Sequence, residues 1–517
     1  MSDNNGSGIE SMSEAPAAPR WLVSIAVMIT TVMVILDMTI VNVTLPHMMG
    51  ALGATANQIT WVLTSYIVAS AITIPLTGFL SGRFGRRQVM LVSVAGFVAA
   101  SALCGQAHSL LEMILFRIAQ GVFGAPLIPL SQSVMVDIFP KHERGKAMAL
   151  WGVGLMLAPV LGPTLGGYIT QHLSWRWVFY INVPVGLLNL VLISRLVAPT
   201  TRRKIPMDWI GATVMALGVG SLQLVLDRGN QEGWFGSGLI ILLTAISAIG
   251  LILFVYHGLR IQTPIVNLRL FHDRNLTAAS IMIGVFGLGM FGTIAMQPLL
   301  LERLLGYPAE TTGLVMAPRA VGSAVSMLIV SRLITRFDPR WLVSIGLVFS
   351  AAGTYLMTWY NLYISPGWVI WPGVIQGIGM GMIFVPLSTI AYETLPKSAV
   401  DEASGLFNLI RTLGSSIGIS IASTVLTRSE QSSWNYLSGH INVFNPALHN
   451  WLNSRGLELG DPTTPLLLGQ MLLRQSSMVA FVDVFWVISI SFLILAPLLF
   501  IMRKPAPHDI PKTSPPD

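Results

Sequence analysis

Residues 120–141 read QGVFGAPLIPLSQSVMVDIFPK, and residues 376–397 read QGIGMGMIFVPLSTIAYETLPK. The two stretches align without a gap at an offset of 256 residues, the difference between 376 and 120. Identical or equivalent residues stand at Gln120/Gln376, Gly121/Gly377, Asp137/Glu393, Pro140/Pro396 and Lys141/Lys397. An ungapped match of this length predicts that the chain is built from two related halves.

The composition places both copies in a membrane. Of the 517 residues, 53% are hydrophobic and only 10% are charged, whereas soluble domains carry about 25% charged residues. A bilayer-spanning helix needs about 20 mostly apolar residues. Fourteen such candidate spans occur, at 21–45, 58–80, 88–107, 110–135, 146–170, 175–197, 208–227, 236–258, 275–301, 311–334, 341–360, 367–393, 402–427 and 479–502. The sequence therefore predicts an all-α integral membrane protein.

Basic residues indicate how the spans are oriented. With the amino terminus inside, 21 of the 30 lysines and arginines fall in inner segments and six in outer ones. Arg117, Arg319 and Arg411 remain within spans. This bias predicts that both termini lie in the cytoplasm. It also explains the net charge of +7 as a topology signal and not as a nucleic-acid footprint.

The repeat predicts the domain organisation. Its copies lie on the fourth and twelfth spans and thus share one orientation, as in transporters with parallel halves. A six-helix half needs roughly 180–200 residues, so the offset leaves room for two extra helices. We expect an N-terminal tail at 1–20, a six-helix bundle at 21–200, two linker helices within 201–262, a second bundle at 263–502 and a tail at 503–517. A polar outer loop at 428–478 is either mobile or a contact surface for a partner.

Asp37, in the stretch Leu36–Asn42 of the first span, is the first candidate functional residue. An aspartate at the centre of a spanning helix costs roughly 2.5–3.5 kcal/mol on insertion scales, and such residues are usually functional. Thr30, Asp37 and Thr44 are spaced by seven and share one stripe, which we expect to face a central cavity. The alternative is a structural cap on Asn42 or Thr39.

Arg117 lies about two turns into the fourth span and shares a face with Gly121 and Gly124. An arginine at that depth needs a carboxylate, carbonyls or water, unless it snorkels to the surface. We predict that Asp37 carries a proton and that Arg117 modulates its charge.

The turn Gly78-Phe79-Leu80-Ser81-Gly82-Arg83-Phe84-Gly85-Arg86-Arg87 joins the second and third spans. Its glycines permit a tight turn, and Asp137 is a candidate partner for its arginines. We predict a conformational switch formed by Gly78, Arg83, Gly85, Arg86, Arg87 and Asp137. The alternative is ordinary positive-inside charge.

The fifth span carries a second candidate switch at 158–167, APVLGPTLGG. Ala158, Gly162 and Gly166 form a small-residue stripe that permits close helix packing. Pro159 and Pro163 should bend the helix, and Gly167 completes the motif. Gly414 and Gly418 repeat the stripe at the same offset.

Several polar and aromatic side chains are candidates for lining a substrate cavity. They are Thr30, Asn42, Thr44, Trp61, Tyr66, Gln120, Trp371, Phe384 and Arg411. Together with the methionine content, they favour a hydrophobic or amphipathic substrate.

These motifs together resemble those of the major facilitator superfamily, and the stretch at 36–46 is similar to the first-span motif of its fourteen-helix drug:proton antiporters. One departure is Gly82, which occupies the aspartate position of the turn motif. The resemblance implies the major facilitator fold and a multidrug efflux pump of the bacterial inner membrane, driven by the proton-motive force without a cofactor. It also implies a periplasmic adaptor of the EmrA type and an outer-membrane channel of the TolC type.

Three other classes of protein are alternatives to this interpretation. A proton-coupled symporter for nutrient uptake stays open, because the Gly162-Pro163 motif argues for export by resemblance only. A membrane enzyme is disfavoured, since the sequence has no His-Glu-x-x-His motif and only one cysteine, Cys104. A sensor is disfavoured because the termini are too short for a signalling domain.

Overall fold

The computed structural model describes residues 19–200, 202–203, 206–442, 444–458, 461 and 463–501. Within these residues, fourteen helices are long and apolar enough to cross a membrane, which confirms the predicted number. We number them in chain order: α1 (Arg20–Ala51), α2 (Ala56–Phe84), α3 (Arg86–Gln106), α4 (Leu110–Ile138), α5 (Lys141–His172), α6 (Trp177–Leu196), α7 (Trp209–Arg228), α8 (Gly238–Arg260), α9 (Arg274–Leu304), α10 (Glu310–Leu333), α11 (Pro339–Trp359), α12 (Pro366–Ile390), α13 (Lys397–Ser438) and α14 (Thr463–Ile494). Nearly all of the tails predicted at 1–20 and 503–517 lies outside the described residues.

Polar side chains cap the amino-terminal ends of several of these helices. The Ser109 hydroxyl accepts a hydrogen bond from the Glu112 amide at the start of α4, and Asp273 accepts one from the Leu276 amide at the start of α9. These side chains satisfy amide donors that lack a partner within the helix. Gly85 separates α2 from α3 with φ of +87°, a value that a residue with a Cβ adopts only under strain.

The two halves repeat one close helix contact. A Cβ at Gly162 or Gly166 of α5 would overlap Thr39 or Ile40 of α1. A Cβ at Gly414 of α13 would likewise overlap the backbone of α9. The small residues therefore allow α5 to approach α1, and α13 to approach α9, at backbone distance. Helix α5 remains continuous through both of its prolines.

Helices α7 and α8 lie outside the two bundles and connect them. The Asp227 carboxylate at the end of α7 accepts a hydrogen bond from Thr64 of α2. Gln223 of α7 donates to Ser416 of α13 at 2.8 Å, and Trp234 in the following turn donates to Thr424 of α13 at 3.1 Å. One helix of the linker thus contacts both halves.

The outer segment predicted at 428–478 is only partly a loop, because helices extend into it from both sides. Helix α13 continues to Ser438, and α14 begins at Thr463. Between them lies a short helix, Pro446–Asn453. The prediction ended the span where polar residues begin, but polar side chains also pair the two helix extensions. Ser429 of α13, for example, donates to Asp483 of α14.

Asp208 secures the amino-terminal end of the linker. Its carboxylate accepts hydrogen bonds from the Gly211 amide at 2.8 Å and from the His257 ring at 2.8 Å. Burial alone would raise the pKa of Asp208, but these bonds hold it below its usual value. A depressed carboxyl pKa stabilises the fold above the unfolded pKa of about 3.9, and that stability is lost as the pH falls through the folded pKa.

We predict that Asp208→Ala lowers the free energy of unfolding by about 1 kcal/mol, because α7 loses its N-cap. Thermal unfolding of the purified protein in detergent at pH 7 measures this change. The difference between wild type and variant should shrink as the pH approaches 4 or below. Glu232→Ala removes an exposed carboxylate near the other end of α7 and should leave the unfolding temperature unchanged. Equal unfolding temperatures for Asp208→Ala and wild type at pH 7 would contradict the assignment.

Candidate functional site

Asp37 lies in a buried cluster of hydrogen-bond donors inside the first bundle. Its Oδ2 is 2.7 Å from Nη1 of Arg117, and the side chains of the two residues are 0% and 1% exposed. Its Oδ1 accepts hydrogen bonds from Gln120 of α4 at 2.9 Å and from Asn182 of α6 at 2.7 Å. Ser101 of α3 joins the cluster by accepting from both amides. Four helices thus contribute to the setting of one carboxylate.

Arg117 is held from several sides at once. Its Nε donates to the Val62 carbonyl of α2 at 3.1 Å, and Nη1 also donates to Oε1 of Gln120 at 2.6 Å. The guanidinium carbon lies 4.3 Å from the ring centroid of Tyr66, within range for a cation–π contact. Arg117 therefore does not snorkel to the surface. Asp37 does not act as a structural cap on Thr39 or Asn42, the alternative role, because those two side chains donate to backbone carbonyls of α1.

The stripe of Thr30, Asp37 and Thr44 does not face a central cavity, contrary to the prediction. All three side chains are fully buried. Asp37 points to α3, α4 and α6, while the Thr30 hydroxyl accepts a hydrogen bond from Asn189 of α6 at 2.6 Å. The seven-residue spacing correctly placed them on one helix face. That face turns into the bundle because the carboxylate finds its cation and amide donors there.

The second half repeats this arrangement without its charges. Gln376, the counterpart of Gln120, donates to Thr293 at 3.0 Å and to Thr354 at 3.1 Å. Thr293 stands 256 residues after Asp37, and Gly373 stands 256 residues after Arg117. The glutamine thus keeps its role in both halves, whereas Thr293 and Gly373 stand at the positions that hold the ion pair in the first half.

The halves are joined at the amino-terminal face, by which we mean the helix ends that carry Arg20, Arg86 and Arg144. Arg86 of α3 contacts Asp137 of α4 at 3.1 Å and Asp401 of α13 at 2.8 Å. Asp401 also accepts a hydrogen bond from Ser133. The carboxylate from the second half thus sits between Arg86 and Ser133, and no aspartate is needed at Gly82, whose carbonyl accepts from the Arg203 amide at 2.7 Å.

Further contacts close the same face. Asn408 of α13 donates to Gln132 of α4 at 2.7 Å, and Ser404 donates to the Pro129 carbonyl at 2.8 Å. A Cβ at Gly78 would overlap Glu402 of α13, so the glycine permits the two helices to meet. Of the other predicted switch residues, Arg87 donates to the Ser194 carbonyl within the first half, Arg83 lies over Phe79 and Phe84, and Gly167 has open space beside it.

A cavity of about 30 Å³ lies deeper between the halves. Met156 and Pro159 of α5 line it from the first half, while Met290, Met316 and Arg319 are among its residues from the second. Five residues before Met156, Trp151 stacks on Phe384 of α12 with ring centroids 5.9 Å apart. Five residues correspond to about 7.5 Å along a helix, so this stack closes the cavity toward the amino-terminal face.

The predicted cavity residues fall in different places. Trp371 is 68% exposed on the outer surface of α12, and Trp61 lies under Arg228 beside α7, so neither lines the cavity. A hydropathy pattern shows that an aromatic is in a span, but it does not show which way it faces. Tyr66 and Gln120 belong to the Asp37 cluster, Asn42 is exposed, and Arg411 is buried without lining the cavity between the halves.

Three residues of these sites were missed. Asn182 stands within the sixth predicted span, and its polarity there was an available signal. Ser101 and Asp401 gave no such signal, because serine is common in spanning helices and an acid near a helix start is ordinary. Their roles follow from which helices become neighbours.

We predict that Gly162→Ala destabilises the protein by about 1–3 kcal/mol, because the new methyl group overlaps Thr39. Thr39→Ala should restore part of the loss, and a double-mutant cycle on thermal unfolding measures the coupling. Gly167→Ala adds a methyl group where no atom lies within 4 Å and serves as the control for stability. Additive effects in the cycle would show that the two helices do not meet at these residues.

Two parallel bundles that meet at one face and enclose a cavity, with a buried ion pair inside the first bundle, are typical of membrane transporters. A family model described as the Major Facilitator Superfamily matches residues 27–419. The chain belongs to this superfamily and is a multi-pass membrane transporter, not an enzyme.

Curated relatives match over almost the whole chain. The multidrug export protein EmrB of Escherichia coli strain K12 is 37% identical over 495 residues, which cover 94% of this chain and 95% of the relative. EmrB of Haemophilus influenzae is 36% identical over 494 residues, or 94% and 96% of the two chains. The fatty acid resistance protein FarB of Neisseria gonorrhoeae is 36% identical over 494 residues, or 95% and 97%.

Solved structures agree on the fold. The human organic anion transporter MFSD10 superposes with a TM-score of 0.60 at 15% identity, covering 93% of this chain and 99% of that chain. The proton:xylose symporter XylE gives a TM-score of 0.60 at 15% identity, covering 94% and 96%. At this identity the likeness shows the major facilitator fold alone.

Proposed function

We propose that this protein is a proton-driven multidrug exporter of the bacterial inner membrane, with hydrophobic or amphipathic toxic compounds as substrates. The buried pair of Asp37 and Arg117 is the observation that carries proton coupling. Similarity to the multidrug export protein EmrB along the chain supports export. The name of the relative FarB, fatty acid resistance protein, supports amphipathic substrates.

Asp37 is the residue that takes up and releases the proton. As a carboxylate, Asp37 neutralises the positive charge of Arg117 in a region where water does not screen the two charges. Once protonated it no longer does so, and leaving one member of a buried pair without its counter-charge costs about 3–5 kcal/mol. The cluster therefore reorganises on protonation. Because it draws on α1, α3, α4 and α6, that reorganisation reaches four helices of the first bundle.

Arg86, Asp137 and Asp401 act as the switch between conformations. The amino-terminal face is the cytoplasmic face, as the bias of basic residues indicates. With Asp401 bound to Arg86, this face is closed, and the cavity between the halves must exchange with the other side. Separation of Asp401 from Arg86 opens the cavity to the cytoplasm, where substrate enters.

The protein is the inner-membrane component of a tripartite system with an adaptor of the EmrA type and a channel of the TolC type. The extensions of α13 and α14, together with Pro446–Asn453, form the periplasmic contact surface. Exposed apolar side chains support this assignment, since Tyr436 is 70% and Leu466 is 68% exposed. Grouped exposed apolar residues beyond the lipid are a common mark of a protein interface.

We predict that Asp37→Asn lowers the rate of proton-driven drug transport at least tenfold, because the amide cannot exchange a proton. Proteoliposomes with an imposed pH gradient and a fluorescent drug measure the transport rate. Glu112→Gln removes another carboxylate of the first bundle, one that contacts the loop before α4, and should transport normally. Undiminished proton-driven transport by Asp37→Asn would overturn the proton role.

The direction of transport separates export from the uptake alternative. A strain that lacks the gene should accumulate more dye, and a proton uncoupler should raise dye accumulation in the wild type to the same level. Failure of the deletion strain to grow on one nutrient, with normal dye accumulation, would instead identify an uptake symporter.

We predict that Asp401→Asn weakens the switch, since a neutral amide binds Arg86 less strongly than a carboxylate does. Ser404→Cys reports the change, because this position is fully buried between the halves. Labelling with a membrane-impermeant thiol reagent in inside-out vesicles should become at least fivefold faster in the Asp401→Asn background. Glu143→Gln, which alters an acid on the same face, should leave labelling unchanged. Equal labelling in both backgrounds would exclude Asp401 from the switch.

A further inference from the structure

Arg319 presents a buried positive charge that lacks an ion-pair partner. Its side chain lies on α10, and the residue is 7% exposed. Among the described residues, no carboxylate lies within 4.0 Å of its guanidinium nitrogens. Its polar contacts are Nη1 to Oε1 of Gln297 at 3.4 Å and Nη2 to Sδ of Met380 at 3.6 Å. Both are long contacts with neutral groups, so most of the five guanidinium donors lack strong partners.

The first bundle contains a buried arginine in a different setting. Arg117 is neutralised by Asp37 at 2.7 Å. An unpaired charge away from water is costly, and buried charges are normally paired. A cation that stays unpaired next to a cavity is therefore complementary to an anion from outside the protein.

The surroundings of Arg319 define what kind of anion fits. The cavity is lined by Met156 of the first half and by Met290, Met316 and Met380 of the second, beside Arg319 and Ser323. The Ser323 hydroxyl is buried and has no hydrogen-bond partner within the described part of the chain. Methionine side chains adapt to apolar groups of varied shape. Arg319 and Ser323 thus offer charged and hydroxyl donors to the cavity, and the methionines offer an apolar wall.

We propose that Arg319 and Ser323 form a binding site for the head group of amphipathic carboxylates, with the apolar part of the molecule packed against the methionines. This site rests on the proposed export function and names one substrate class for it. In the closed arrangement its volume of about 30 Å³ admits only a small group, so a whole substrate binds when the halves move apart. Arg411, the other arginine buried in the second half, does not line this cavity.

Binding of radiolabelled octanoate, compared with octanol, tests the site. The purified full-length protein is placed in lipid nanodiscs, and binding to empty nanodiscs is subtracted. Wild type should bind octanoate at least fivefold more tightly than octanol, because only the carboxylate engages Arg319. Arg319→Gln should reduce this ratio to about one, and Arg319→Lys should keep part of it. Arg336→Gln, an exposed arginine beyond the end of α10, should keep the wild-type ratio.

The ratio of octanoate affinity to octanol affinity distinguishes recognition of charge from a merely structural role. Loss of stability would weaken the binding of both ligands alike. Should Arg319→Gln not fold, Ser323→Ala and Arg319→Lys carry the test, each with a ratio below that of wild type. A wild-type ratio of one, or a full ratio in Arg319→Gln or in both fallback variants, would overturn the site. Proton-driven efflux of ethidium by the same wild-type preparation is measured in parallel. Its absence would count against the export function and not against the site, which the binding ratio judges independently.

Discussion

A charge buried inside a membrane protein is costly unless a counter-charge lies close by, because neither lipid nor packed helices replace water as a solvent for it. In this chain the requirement is met at Asp37 and Arg117, whose side chains are almost entirely buried. Meeting it fixes much of the first bundle. The carboxylate needs amide donors from α4 and α6, and the guanidinium needs a carbonyl from α2. The packing of five helices, α1, α2, α3, α4 and α6, is thereby tied to the ion pair of Asp37 and Arg117.

The two halves share one arrangement of helices but differ in the charged groups that these helices carry. Small residues bring α5 to α1 and α13 to α9 in the same way, and a glutamine on the fourth helix of each bundle contacts the first. The ion pair of the first half has no charged counterpart at the repeated positions, which Thr293 and Gly373 occupy in the second half. The second half places its arginine on α10 instead, facing the other bundle. In the proposed mechanism, proton exchange at Asp37 and substrate binding beside Arg319 are thus separated in space, and motion of one bundle against the other links them.

The sequence predicted the number of spans, the parallel repeat and the two linker helices, because length, hydropathy and offset are local or additive properties. It predicted Asp37 and Arg117 as a functional pair from the cost of burying each one, and the structure places them in contact. It could not predict the direction in which the Asp37 stripe faces, nor the positions of Trp61 and Trp371. Those depend on which helices become neighbours, and a spanning helix is apolar on every side. Asp401 was missed for the same reason, since its partners lie more than 250 residues away in the chain.

The linker also breaks the symmetry of the two seams along which the bundles meet. One seam runs between α2 and α13, the other between α5 and α10. Helix α7 contacts both α2 and α13 and thus bridges and covers the first seam. Within the described residues, the second seam has no such cover. One flank of the molecule is thus covered by a linker helix and the other is not, although the two bundles are built from one repeat.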